Sequence, residues 1–210
     1  VSVPRAAAPA DADVGIGAGA DLLGASLQAG RNLTVASSGA LDLREGRMAL
    51  RFGQAPAVRA QGLQHGGLRL VGEEIELDAA LAQLHAQGAR LWATERVELR
   101  GRGIDHRGGV MASQARTRVD AGAGVLDNRG GVISGATTSV AGEVQNSDGV
   151  ISGVSSLAMT TRGLDNRAGI IEAGTGGLHI DTQGHALHNT DSGGSRGIAS
   201  AGDASIVGGH

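Results

Sequence analysis

The chain has no cysteine, no lysine and no tyrosine, and its 210 residues include only three prolines, one phenylalanine (Phe52) and one tryptophan (Trp92). Without cysteine no disulfide can hold the fold, so stability must come from packing. A chain threaded unfolded through a narrow pore would also carry no crosslink to obstruct it. The scarcity of aromatic rings excludes the usual globular core, which draws much of its buried area from them. Small and aliphatic residues must fill a thin core instead. All 18 basic residues are arginine, set against 21 acids for a net charge of −3. They are scattered, with no basic stripe interleaved with aromatics, so nucleic acid is not an expected partner. No apolar run approaches the ~18 residues of a membrane span. The chain begins at Val1 with no recognisable leader, and the segment is expected to be soluble and cut from a longer polypeptide.

Glycine, by contrast, is abundant, at 37 of 210 residues, more than twice the ~7% of ordinary proteins. It follows no three-residue period, which excludes collagen, and the plentiful Leu, Val and Ile argue against disorder. The five asparagines are more informative, because four of them occupy one slot of a repeat. Leu126-Asp127-Asn128-Arg129-Gly130-Gly131-Val132-Ile133 is followed by Val144-Gln145-Asn146-Ser147-Asp148-Gly149-Val150-Ile151 and by Leu164-Asp165-Asn166-Arg167-Ala168-Gly169-Ile170-Ile171. Leu187-His188-Asn189 is a decayed copy, and Ile104-Asp105-His106-Arg107-Gly108-Gly109 an earlier one with His in the slot. Slot residues His106, Asn128, Asn146, Asn166 and Asn189 are 22, 18, 20 and 23 positions apart. A period near ~20 residues marks a solenoid, whose repeats bury their apolar faces only by stacking.

A second count agrees. Apolar-x-apolar triplets, the signature of a strand with one buried face, occur at Leu27, Leu33, Leu41 and Met48, and again at Leu68, Ile75, Leu84, Leu91 and Val97. The intervening Gln28, Thr34, Asp42, Arg69, Glu76, His85 and Glu98 are polar, as outward positions should be; Ala49 and Trp92 are the exceptions. Three triplets at about seven residues each make one coil of about the asparagine period. The expected fold is therefore all-β: a right-handed parallel β-helix with about three short strands per coil. About nine coils over residues 25–210, stacked at roughly 4.8 Å, would form a rod on the order of 40–45 Å long.

Residues 1–24 read as a linker or irregular first coil, 25–102 as triplet-bearing coils, and 103–210 as the asparagine repeats continuous with them. Phe52–Gly67, with Pro56, reads as irregular. Residues 78–87 hold good helix formers between Asp78 and Gly88, and helix or strand stays open there. The slot asparagine should share a face with the apolar residue two before it, tolerate a tight bend, and build an amide ladder with the next coil. The glycine pair behind it is read as permitting positive φ.

The repeats LDNRGGVISG and LDNRAGIIEAG, together with the upstream LQAGRNLTV, resemble the haemagglutinin-type repeats of filamentous haemagglutinin and related large bacterial exoproteins. The repeat block covers about 104–190, and the upstream coils extend the match to about residue 25. The resemblance implies a shaft exported by two-partner secretion through an outer-membrane transporter. It also implies a place at the bacterial surface, as an adhesin for host-cell receptors or glycans or as the stalk of a contact-dependent inhibition toxin. The family's N-terminal secretion domain is not evident, and no Arg-Gly-Asp tripeptide occurs.

Other patterns are weaker. Gly193-Gly194-Ser195-Arg196-Gly197 matches G-x-S-x-G without the strand and helix a nucleophile elbow needs, and Gly15–Ala20 matches G-x-G-x-x-A without a βα context. His179, His185 and His188 lack a metal-binding arrangement. Asp105, Asp127 and Asp165 would stack along the rod, as in parallel β-helix enzymes that cleave polysaccharides, but each is followed two residues on by Arg107, Arg129 or Arg167. The sequon Asn32-Leu33-Thr34 is read as incidental. No residue is given a catalytic, cofactor-binding or metal-binding role, and no cofactor is expected.

Overall fold

The structure, a computed structural model, describes the strand backbone between Asp11 and Gln64 and, with side chains, residues 67–208 apart from 80 and 81. It is all-β, with 21 parallel-paired strands and no helix among the described residues. The chain winds into a β-solenoid. Each turn contributes to three faces, and each strand pairs with its counterpart one turn away.

The register shows the period directly. On one face Arg69, Arg90, Val110, Val132, Val150, Ile170 and Gly197 are successive partners, at offsets of 21, 20, 22, 18, 20 and 27 residues. The coil is thus held by pairing rather than by strict length, and the extra residues of the last turn lie in the exposed stretch between His188 and Gly197. Where corners are shallow, one strand bends through several faces. Val150–Asp165 pairs with Ile170–Ala173, then with Gly177–Asp181, then with Leu187–His188.

Aliphatic columns fill the interior. Leu70, Leu91, Met111, Ile133, Ile151 and Ile171 stack on one face, and Leu84, Ile104, Leu126, Val144 and Leu164 on another. All are at most 2% exposed. No aromatic enters this core among the described residues; Trp92 points outward beside Val71 of the preceding turn, both well exposed. Thr117 and Thr138 occupy interior positions of the third face, where each hydroxyl donates to a neighbouring carbonyl, Ser134 and Ser152 respectively, at 2.6 Å. That pairing removes the cost of burying the hydroxyl.

One local reading changes, and two open ones gain detail. The stretch Phe52–Gly67 contains two strands, Pro56–Arg59 and Gly62–Gln64, paired in register with Leu33–Ala36 and Ala40–Asp42. Pro56-x-Val58 is the missing triplet; proline opens the strand, where its lack of an N–H is tolerated. Between 78 and 87 the structure has the end of one strand, a turn closed by Ala82 N to Ala79 O (3.0 Å), and the strand Leu84–His85. Cross-coil pairing has overridden helix propensity there, with 80 and 81 outside the described residues. Within 1–24, Asp11–Ile16 and Ala20–Asp21 pair with the next turn; residues 1–10 and the side chains of Gln28, Asn32, Thr34 and Asp42 lie outside the described residues.

Candidate functional site

The slot residues form one buried column. His106, Asn128, Asn146 and Asn166 are fully buried and Asn189 is half-buried. Asn128 Nδ2 donates to Asn146 Oδ1 at 2.7 Å, Asn146 Nδ2 to Asn166 Oδ1 at 2.7 Å, and Asn166 Nδ2 to Asn189 Oδ1 at 2.8 Å. The same amides reach carbonyls at the bend: Asn146 Nδ2 lies 3.2 Å from both Gly149 O and Ile170 O. Each rung therefore joins two turns through side chain and backbone together.

Donation runs one way along the rod, and this fixes the histidine. Asn128 already spends its N–H groups, so its Oδ1 must accept, and His106 Nδ1 at 2.9 Å carries the proton. His106 Nε2 is then a bare acceptor, buried and without a partner. Burial pushes the His106 pKa down, against the smaller opposing pulls of the Asn128 hydrogen bond and the Asp105 charge.

The glycine pair has two separate jobs. In these described turns the residue two after the slot takes the left-handed conformation: Gly88, Gly108, Gly130, Asp148, Ala168 and Asp191 have φ between 53° and 63°. A backbone bond from the residue three after the slot closes the bend, as in Gly131 N to Asn128 O at 3.0 Å. That next residue needs glycine for space rather than for φ. A Cβ on Gly131 would lie 2.5 Å from Asn128 Oδ1 and 2.7 Å from His106 O, and one on Gly149 would fall on the Asn128 carbonyl oxygen. Where the slot holds Ala86, with no amide to accommodate, Ala89 replaces the glycine.

Outside the column, the recurring aspartates are tied to their own arginines. Arg107 reaches Asp105 at 2.7 and 2.9 Å, Arg129 reaches Asp127 at 2.6 and 2.8 Å, and Arg167 reaches Asp165 through paired bonds. Burial alone would raise the Asp105 pKa, but bonds from Arg107 and Gln87 overcome it and hold the carboxyl at about 2. The Arg167 hydrogen bond lowers that of Asp165. Carboxylates held ionised in this way are poorly matched to proton donation near neutral pH. Their evident chemistry is charge compensation along the rod.

The remaining candidates do not assemble. Ser195 sits in an exposed turn followed by the strand Gly197–Ser200 rather than a helix. Asp11–Ile16 does supply a strand ahead of the glycines at 15–19, but Ala20–Asp21, which follows, is another strand. His179, His185 and His188 are exposed, and no group of three His, Asp or Glu that could hold a metal occurs among the described residues.

Sequence reasoning missed one cluster. Glu98, expected outside, is on the outer surface yet only 5% exposed, because Arg96, Arg100 and Arg118 cover it. The motifs Arg96-x-Glu98-x-Arg100 and Arg116-x-Arg118, 20 residues apart at the same register position, were the available signal. Comparison with family models, with curated proteins and with solved structures returns no match to the chain.

Proposed function

We propose that this chain is a shaft segment of a large secreted bacterial surface adhesin, exported by two-partner secretion and projecting attachment surfaces towards host-cell receptors or glycans. The observation that carries the reading is the unbroken column from His106 to Asn189. Each turn of that stretch is locked to the next by a side-chain bond, so adding turns lengthens the rod without changing its section. Outer residues are then free to vary, as a long projecting surface requires. The likeness of the Asn repeats to haemagglutinin-type repeats supports the same reading.

The test deletes whole turns, residues 128–165, from the parent protein expressed at a bacterial surface. Fibre length by electron microscopy and attachment to host cells are measured beside a deletion of equal size elsewhere in the rod. The expected outcome is a shorter fibre and weaker attachment. Unchanged length and unchanged attachment would sink the proposal, while shortening alone would reduce the role to that of a spacer.

A further inference from the structure

Register brings together arginines on the outside of the third face that are remote in sequence. Arg96 partners Arg116, Glu98 partners Arg118, and Arg100 partners Asp120. With Thr137 and Ser139 of the following turn, the four arginines and Glu98 line an open groove of about 370 Å³. Glu98 lies between Arg100 Nη2 at 2.5 Å, Arg96 Nη1 at 3.5 Å and Arg118 Nε at 3.5 Å. One carboxylate cannot saturate the donors of three guanidinium groups. Further acids take part of the remainder: Glu74 holds Arg96 at 2.9 Å and Asp120 approaches Arg118 at 3.7 Å, while Glu76 and Asp78 add negative charge near Arg100 from the preceding turn. The Arg116 guanidinium has neither a carboxylate nor a hydrogen-bond partner among the described residues. Arg96 Nε, too, is buried without an acceptor.

We propose that this groove binds a carboxylate-bearing acidic polysaccharide, with Arg116 and Arg118 gripping one of its carboxylates and Thr137 and Ser139 bonding the hydroxyls of a neighbouring ring. Guanidinium forks match carboxylates bidentately. Adjacent turns are about 4.8 Å apart, close to the advance of an extended sugar chain per ring, so a carboxylate on Arg116 and Arg118 places the next ring over Thr137 and Ser139 of the following turn. The lining is polar throughout and open to solvent, which suits a stretch of polymer rather than an apolar small ligand. It offers no aromatic platform for the bases of a single-stranded nucleic acid. The inference does not depend on the adhesive reading, because the groove is the same on a stalk or an enzyme.

Isothermal titration of the 210-residue chain with a short oligogalacturonate tests it. Saturable binding that weakens with salt is expected. Arg116→Gln and Arg118→Gln should each weaken it about tenfold, the size of one lost charge-assisted contact, and Thr137→Val about threefold. Arg167→Gln makes the same charge change on another face and should bind as the unsubstituted chain does. The proposal is overturned if oligogalacturonate does not bind, or if Arg167→Gln weakens binding as much as Arg116→Gln. It is equally overturned if dextran sulfate or single-stranded DNA binds more tightly than oligogalacturonate. Circular dichroism checks folding; should Arg118→Gln disturb it, Arg116→Gln decides, since no partner holds that side chain.

Discussion

Replacing Asn146 by alanine removes the middle rung of the column. Its amide donates to Asn166 Oδ1 and approaches the carbonyls of Gly149 and Ile170, and its oxygen accepts from Asn128. Taking about three effective bonds at roughly 1 kcal/mol each, plus about 1 kcal/mol for the stranded Asn166 oxygen, the cost is roughly 4 kcal/mol. For a chain of this length that corresponds to a melting point lower by roughly 10 °C. Asn189→Ala loses one bond at a half-buried site and should cost only about 1 kcal/mol. Urea unfolding of both variants, followed by the strand signal in circular dichroism, compares them. If Asn146→Ala is no more damaging than Asn189→Ala, the column is decoration and the account of the fold fails. Asn146→Asp sharpens the comparison, since a carboxylate can accept from Asn128 but cannot donate to Asn166 while ionised. Its folded pKa should rise, so it should be weaker than alanine at neutral pH and regain stability as pH falls below its folded value.

His106 is neutral in the fold with a depressed pKa, so the unfolded chain binds the extra proton. Stability should be full above about pH 6.5 and decline as pH falls below it. His106→Asn should flatten that part of the profile, while the Asp105 contribution stays whole until pH falls below the ordinary aspartate value of about 3.9 and is lost as pH approaches about 2. Gly149→Ala places a methyl group on the Asn128 carbonyl and should cost about 2 kcal/mol or more, whereas Gly193→Ala, with open space around it, should stay within about 0.5 kcal/mol; thermal melts distinguish them. Ala168 holds φ 53°, so Ala168→Gly should stabilise the protein by about 1 kcal/mol in the same assay.

The fold was legible because a solenoid writes its geometry twice, once in the triplets and once in the asparagines. Leu27, Leu91 and Val97 announce their strands through alternation alone. Pro56 hid a strand because proline reads as a breaker unless the neighbouring turn is known. The helix formers from Ala79 to Gln87 left helix or strand open for a related reason: propensity is local, whereas Leu84 is held by Leu63 and Ile104 from adjacent turns. The second glycine of each pair was assigned to backbone freedom, and only the position of the Asn side chain reveals that it provides room. Arginines judged scattered along the chain proved clustered in space, because a stack of turns converts a separation of 20 residues into contact.

All the amides of the column face the same way along the axis. A stack growing from its N-terminal side always ends in an amide whose N–H groups await an oxygen, and the next asparagine delivers one as its turn closes. A stack growing from the other end exposes an oxygen instead, which the N–H of the incoming amide satisfies. The two ends of the column are thus chemically unlike: His106 only donates to it and Asn189 only accepts from it.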